Sequence, residues 1–541
     1  MIGADAVVRA IKKLGTDHVF GIISIHNMPI FDAINRDGSI KVIDCRHEMA
    51  ATHAADGYAR ATGKIGIAIA STGPGTTNTV TGLYEAQYAS SPVLLITGQA
   101  ETGFYGKAQG YVHEAEAQLP MLQTVTRRAA SISAAENIES TILEVATDIS
   151  QGRPSSGAVE IPIDLQYAEV EPSSTDFRSA ETESPDVMAA VDLIAASKKR
   201  VILAGGGVIS AGASKALTAL AENLGAPVFT SHNGRGAIPE DHPLCAGNLY
   251  QARSMHAALG DADLTIAVGT RFQVGVAGAA AQLAPPGRLL HIDIDSNMIG
   301  RVHPADLSLN ADADDALQAI TRAMNFEPGD PEFCHQVLEA AAGLKAHLQS
   351  RLGSDYAGIM NTIRESLPRD GQIVRDTTVP AYNFVNQLLQ VYEPRTFMGP
   401  TSAAIGPGLP LAVGASAGTR KKTVVIHGDG GFMLHATELA TAVQYQLPLI
   451  ICVFNDSGYG VLRGLQSRQF EGRFGDTDLG FVDFAAMARS MGMEGTTITS
   501  LDGFNAAFSS ALAREAPYLI NIDMRSLTPM EGSILPAETT S

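Results

Sequence analysis

The sequence predicts an α/β protein built as three doubly wound parallel-sheet domains, and three observations predict it. Short β-branched or apolar runs alternate with helix-forming segments, a pattern that makes parallel sheets covered by helices on both faces. Two stretches interrupt the alternation: residues 166–187, rich in Pro, Ser, Thr and acidic residues, and a shorter one at 325–331. The length, 541 residues, accommodates about three domains. The resulting spans are 1–165, 188–325 and 350–527.

In the first domain, residues 4–14 read as a helix and 18–23 as a strand that runs into the turn GIISIHNMP. A short strand follows at 41–44. The alanine-rich HEMAATHAADGYARATG gives a helix over 48–62, stopped by Gly63. Residues 65–70 form a strand before the turn STGPGTTN, 76–89 a helix and 93–97 a strand. In the second domain, RVILAGGGVI, LTIAVGTRF and LLHIDID are strand ends. Gly205-Gly206-Gly207 does not form a GxGxxG fingerprint, so no dinucleotide site is read there. Residues from 528 onward read as a loose tail or a lid. The first and third domains show no internal repeat by eye.

The third domain contains the stretch that organises the chain, residues 421–460, KKTVVIHGDGGFMLHATELATAVQYQLPLIICVFNDSGYG. Residues 423–426 suit a buried strand. Gly428-Asp429-Gly430-Gly431 ends it. Residues 433–445 favour a helix, with Leu434, Leu439 and Val443 spaced for an apolar face, and 449–454 form a second strand. In a right-handed βαβ unit both strands end at one sheet edge, the edge where open α/β folds bind ligands. Asp429 and the pair Asn455-Asp456 therefore meet there. The glycines bring backbone N–H groups and a helix start to the same place, which suits a phosphate. Hard oxygen ligands beside a phosphate cradle point to Mg²⁺.

Composition excludes several classes. Apolar residues make up 45% of the chain and charged residues 18%, enough for full-sized cores. The net charge of −19 disfavours nucleic acid and membrane surfaces, without excluding a small anionic substrate, because the local field governs binding. Cys45, Cys245, Cys334 and Cys452 lack metal-ligand spacing and read as buried thiols. The amphipathic start MIGADAVVRAIKKLG is not a signal peptide, and no run is long enough to span a membrane. A cytoplasmic location is expected.

GDGGF followed by NDSGYG resembles the thiamine diphosphate motif. RHEMAATHAADGYARATG, STGPGTTN, SHNGRGAIPEDHP, HIDID and SAAIGPGLPLAVGA are similar to segments of the acetohydroxyacid synthase, pyruvate oxidase and benzoylformate decarboxylase group. The resemblance covers nearly the whole chain. It implies a first domain that binds the aminopyrimidine, a third that binds the diphosphate, and a central one that is structural or holds a second nucleotide. It assigns Asp429, Asp456 and the Gly458 carbonyl to Mg²⁺, with Asn455 as the alternative to Asp456. Gly428, Gly430, Gly431 and Tyr459 complete the cofactor turn. Thr377 would contact the diphosphate, the Ala403 carbonyl would accept from the 4′-amino group, and Ile405 would bend the cofactor. Glu48 matches the glutamate that hydrogen-bonds N1′ and favours the tautomer able to take the C2 proton. In the group, that glutamate and the diphosphate site come from different subunits. A homodimer or homotetramer with the cofactor across the interface is expected.

Substrate-side candidates are His26 and Asn27 in GIISIHNMP, Gln109 and His113 in GKAQGYVHEAEAQ, and Tyr459. His26 and His113 can move protons near neutral pH and are catalytic candidates. His47 and His427 read as structural, and His53 and His435 receive no role. The chain has no tryptophan, so the substrate-side tryptophan of acetohydroxyacid synthases is missing. GNLYQARSMH replaces the segment that carries their flavin, so neither FAD nor branched-chain amino-acid synthesis is expected. The expected activity is a thiamine diphosphate- and Mg²⁺-dependent C–C lyase or carboligase acting on a 2-oxo acid, acetolactate-synthase-like. The alternatives are a simple 2-oxo acid decarboxylase, a non-catalytic nucleotide-binding protein on the same scaffold, and a flavin-linked oxidase.

Overall fold

The computed structural model describes residues 1–174, 176–177, 185–250, 252–273, 284–325 and 327–535. Parts of the expected linkers, Gln251 of GNLYQARSMH and the end of the tail lie outside the described residues.

Three six-stranded sheets are present, and all their strand pairs are parallel. The first comprises β1 (His18–Gly21), β2 (Lys41–Asp44), β3 (Gly66–Ala70), β4 (Val93–Gln99), β5 (Arg128–Ser131) and β6 (Ser156–Pro162), in the order β2-β1-β3-β4-β6-β5. The second comprises β7 (Arg200–Ala204), β8 (Val228–Thr230), β9 (Cys245–Gly247), β10 (Leu264–Val268), β11 (Arg288–Asp293) and β12 (Leu307–Asn310), in the order β12-β11-β10-β7-β8-β9. The third comprises β13 (Gln372–Arg375), β14 (Phe397–Met398), β15 (Thr423–Gly428), β16 (Leu449–Asn455), β17 (Glu494–Ile498) and β18 (Tyr518–Asp523), in the order β14-β13-β15-β16-β18-β17. Counted within each sheet, the first and third share the order 2-1-3-4-6-5. The third sheet thus repeats the first, a duplication that is invisible in the residues themselves. Central strands such as β4 and β16 are buried at every position, as parallel sheets covered on both faces require.

The first and third sheets share one hydrophobic core, in which Phe20 and Tyr58 join Leu409, Val413, Val425 and Leu439. The helices Glu48–Thr62 and Gly408–Thr419 make the junction. Both are rich in Ala and Gly, and their backbones touch. A Cβ at Gly57 would collide with the Leu411 carbonyl, and one at Gly414 with the Ala54 carbonyl. Gly63 ends the first helix in the left-handed region, at φ +77°.

Three local expectations need correction. The first strand stops at Gly21 rather than 23, and Ile23 and Ile25 beyond it are exposed. The helix expected over 433–445 begins only at Glu438 and ends at Gln444, and a separate helical turn, Asp429–Phe432, precedes it on the glycine segment. Its would-be apolar face loses Leu434, which is 51% exposed. His435 explains the break, since its Nδ1 bonds the distant Gly406 carbonyl at 3.1 Å and holds the segment in turns. The break at 325–331 is followed by an unforeseen helix, Pro331–Ser350, which Asp330 caps through the N–H groups of Glu332 and Phe333.

The start of the tail is docked. The Thr528 N–H donates to Asp355, Met530 is buried, and Leu535 packs on the third core. All four cysteines are free and buried. Among the described residues no helix is long and apolar enough to cross a membrane.

Candidate active site

The carboxyl ends of β13, β15 and β16 converge and bring Asp376-Thr377, Gly428-Asp429 and Asn455-Asp456 to one edge. Asp429 and Asp456 are each 4% exposed. Asp429 accepts the Gly458 N–H at 2.8 Å. Burial, and then the charge of Asp456, push the Asp429 carboxyl up to about 7. Burial also raises Asp456, against the opposing pull of Arg463. Two facing carboxylates in low dielectric are relieved either by a shared proton or by a cation between them. Among the described residues no three His, Cys, Asp or Glu side chains gather as a metal site. A cation here would therefore complete its shell with backbone, phosphate and water oxygens, as Mg²⁺ prefers. Asn455, the alternative ligand, is already engaged: it donates to Val482 O and Asn521 Oδ1 and accepts the Ser457 N–H. It shapes the turn, while Asp456 faces Asp429.

The glycines of this edge are packed by neighbours that a Cβ would displace: Thr378 over Gly428, Tyr459 over Gly430 and Asp376 over Gly431. The Thr377 hydroxyl is buried without a hydrogen-bond partner. A buried orphan donor beside a glycine turn fits a diphosphate oxygen.

Asp376, which sequence reasoning missed, holds the loop that carries Ala403 and Ile405. It is fully buried and accepts from the N–H groups of Thr377, Gly406 and Gly408, at 2.8–2.9 Å in the shorter contacts. His427 Nε2 lies 3.3 Å from its Oδ2. Ala403 is held at φ +65° and Gly406 at φ +108°, strain that persists only because these contacts over-determine the loop. Ile405, 38% exposed, stands out from it. A large apolar side chain left open above a polar edge is what a cofactor ring would cover.

Glu48 opens its helix, behind the N-cap His47, whose Nδ1 accepts the Met49 N–H. Its carboxylate accepts from Asn78 Nδ2 at 3.0 Å. Asn78 belongs to the motif STGPGTTN, and only the fold shows it reaching Glu48. No described hydrogen bond of the Glu48 side chain leads to the aspartate edge of its own chain.

The profile for the N-terminal TPP binding domain of thiamine pyrophosphate enzymes matches residues 1–121. That for their central domain matches 187–320, and that for their C-terminal TPP binding domain matches 381–522. This chain belongs to the thiamine pyrophosphate enzyme family. It is similar to a probable acetolactate synthase large subunit of Methanocaldococcus jannaschii, with 32% identity over 96% of this chain and 92% of that protein. The acetolactate synthase isozyme 2 large subunit of Escherichia coli is 32% identical over 100% and 99%. A probable 2-ketoarginine decarboxylase of Pseudomonas aeruginosa is 31% identical over 86% and 83%. The protein is a thiamine diphosphate-dependent enzyme of the carboligase or decarboxylase kind.

Of the substrate-side candidates, His26 and His113 lie with ring centroids 5.2 Å apart, and the ring of Tyr111 lies 6.0 Å from that of His26. His26 is buried and its Nδ1 has no partner. Burial, then the neighbouring His113, lower its pKa. His113 is exposed, sits at φ +62° and lies 3.4 Å from the Ser71 hydroxyl. Two other candidates fare differently. The Asn27 side chain closes its own turn, donating to Ile22 O and accepting the Ser24 N–H, so both ends of its amide are engaged locally. Gln109 stands exposed with no described side-chain hydrogen bond. Behind that pair lies a buried network that the sequence did not reveal. Gln118 donates to Glu160 and to Gly98 O, and accepts from Thr72 and from the Gly73 N–H.

His53 and His435 lie 5.8 Å apart between the first and third domains of the enzyme. Neither ring nitrogen of His53 has a partner. Burial holds His53 and His232 well below the usual histidine range and pushes His435 down to about 4. The unfolded chain, with histidines near 6.5, therefore binds more protons than the folded one between about pH 6.5 and 4. The stability these histidines contribute is complete above that window and falls as pH drops through it, by up to about 1.4 kcal/mol per pH unit for each excluded histidine, while the raised Asp429 carboxyl acts in the opposite sense. His53→Gln should therefore make the unfolding temperature less dependent on pH between about 6.5 and 4 than in the wild type, with less proton uptake on unfolding in calorimetry. Equal pH dependence of the two proteins would contradict this.

Between the domains lies a cleft of about 1210 Å³, lined by Gly206, His232, Arg271, Arg375 and Arg395. The central sheet, whose own order is 3-2-1-4-5-6, contributes its switch point between β7 and β10 to this cleft.

Proposed function

We propose that this enzyme is a Mg²⁺-requiring carboligase that decarboxylates a 2-oxo acid and joins the remaining fragment to a second carbonyl. The observation that carries the reading is the end-to-end alignment with a protein named as an acetolactate synthase large subunit. Asp429, Asp456 and Gly458 would hold the cation. Thr377 and the turn Gly428-Gly431 would receive the diphosphate, and Tyr459 would close over it. Ala403 and Ile405 would support the rings.

When bound, thiamine diphosphate supplies a nucleophilic carbon that adds to the 2-oxo carbonyl and accepts the electron pair left as CO₂ departs. Glu48 would share a proton with the pyrimidine N1′, which sets the basicity of the neighbouring amino group. His26, neutral at pH 7 and with a free Nδ1, would take or return a proton at the substrate oxygen, and His113 would share that task. As the family resemblance implies, Glu48 would serve the site of a second copy in a homodimer or homotetramer. Four buried free thiols suit a reducing cytoplasm.

A simple decarboxylase is the second reading, favoured by the similarity to the probable 2-ketoarginine decarboxylase. The two differ in what intercepts the fragment left after CO₂ departs, a second carbonyl or a proton. Incubation with pyruvate, Mg²⁺ and thiamine diphosphate should yield 2-acetolactate and CO₂, read by NMR. Acetaldehyde with no new C–C bond would overturn the carboligase reading.

A further inference from the structure

We infer that Arg463 is a positioning residue whose charge offsets the second aspartate of the cation site and so makes room for a diphosphate. The inference rests on the reading of Asp429 and Asp456 as cation ligands.

Arg463 lies in the helix Gly460–Gln469 and is 2% exposed, among the largest fully buried side chains of the protein. Its Nη1 donates to Asp456 Oδ2 at 3.2 Å and to Ile534 O of the docked tail at 3.0 Å. Its Nε donates to Asp478 Oδ1 at 2.9 Å. Asp478 is largely exposed, and its residue forms a β-bridge with Gly458. Nη2 is buried without a partner and lies where a Cβ of Gly458 would be. Asp456 Oδ2 is likewise seated where a Cβ of Gly460 would be. Both glycines are therefore required for the guanidinium and the carboxylate to meet.

An arginine is not buried at such cost without partners; here they are Asp478, which solvent screens, and the candidate ligand Asp456, the buried one of the two. Two buried carboxylates, one divalent cation and one diphosphate leave a surplus of negative charge in low dielectric. Arg463 removes one unit of it. By holding Oδ2, it also leaves the other Asp456 oxygen free for the cation. Anchored at Asp478 and Ile534, it reaches this position without depending on the cofactor.

The test is a four-way cycle of wild type, Arg463→Met, Asp456→Asn and the double variant. Thiamine diphosphate binding is measured by calorimetry at saturating Mg²⁺, and the unfolding temperature is measured without metal. Arg463→Met alone should weaken binding 10–100-fold. In the Asp456→Asn background the same change should cost less than about threefold, because the surplus charge is gone. Arg463→Lys, which keeps the charge, should stay within about fivefold of wild type. Equal losses in both backgrounds would overturn the inference, as would a Lys variant as weak as the Met variant. If Arg463→Met does not fold, the double variant decides: a neutral buried pair should fold and bind, and its failure to do either would overturn the inference. Absence of Mg²⁺-dependent binding in wild type would instead sink the cation-site reading itself.

Discussion

Glu48→Gln should slow exchange of the C2 proton of bound thiamine diphosphate by about 10²–10⁴-fold, the range for removing a positioned proton-transfer group. Turnover of any 2-oxo acid should fall with it. The argument is local. A glutamine at 48 keeps the length, the helix start and an oxygen for Asn78 Nδ2, which bonds Glu48 at 3.0 Å in the wild type. It cannot hold a proton between itself and a ring nitrogen. Cofactor affinity and unfolding temperature should therefore remain close to wild type while exchange collapses. Deuterium exchange followed by acid quench and NMR gives the rate. Exchange within a few-fold of wild type would remove Glu48 from the mechanism. A protein that merely binds nucleotide on this scaffold would show no accelerated exchange in either form.

Asp429→Asn should cost the largest share of Mg²⁺-dependent cofactor binding, about 3–4 kcal/mol, the scale for losing one partner of a buried charge pair. Affinity would fall by two to three orders of magnitude. Asparagine can still accept the Gly458 N–H that Asp429 now accepts at 2.8 Å, so the turn should survive. Without metal the variant should be at least as stable as wild type, because a carboxylate that is 4% exposed has been replaced by a neutral amide. With Mg²⁺ and thiamine diphosphate, wild type should gain stability by mass action and the variant should not. Thermal unfolding with and without the pair of ligands reads both effects. Equal ligand-induced stabilisation of the two proteins would place the cation elsewhere.

Much of the fold was readable because its signals are local. Val93–Gln99 and Leu449–Asn455 are apolar runs that have to be buried strands. The Glu48–Thr62 helix ends at Gly63 because glycine alone enters the left-handed cap at little cost. The same locality misled at 433–445, where helix propensity lost to one long-range bond from His435 to Gly406. Asn27 and Asp456 show the limit for sites. Residue type marked both as candidates, but the partners of each side chain decided that one closes a turn and the other faces a carboxylate.

The sequence by itself determined the α/β class, the strand ends that carry Asp429 and Asp456, and the helix start at Glu48, because periodicity and glycine turns act within a few residues. Only the tertiary structure decided that the third sheet repeats the strand order of the first, that Asp376 braces the loop of Ile405, and that Arg463 stands against Asp456. Those outcomes depend on which distant backbones can approach each other and on which buried charges find partners, and neither property belongs to any short stretch of chain.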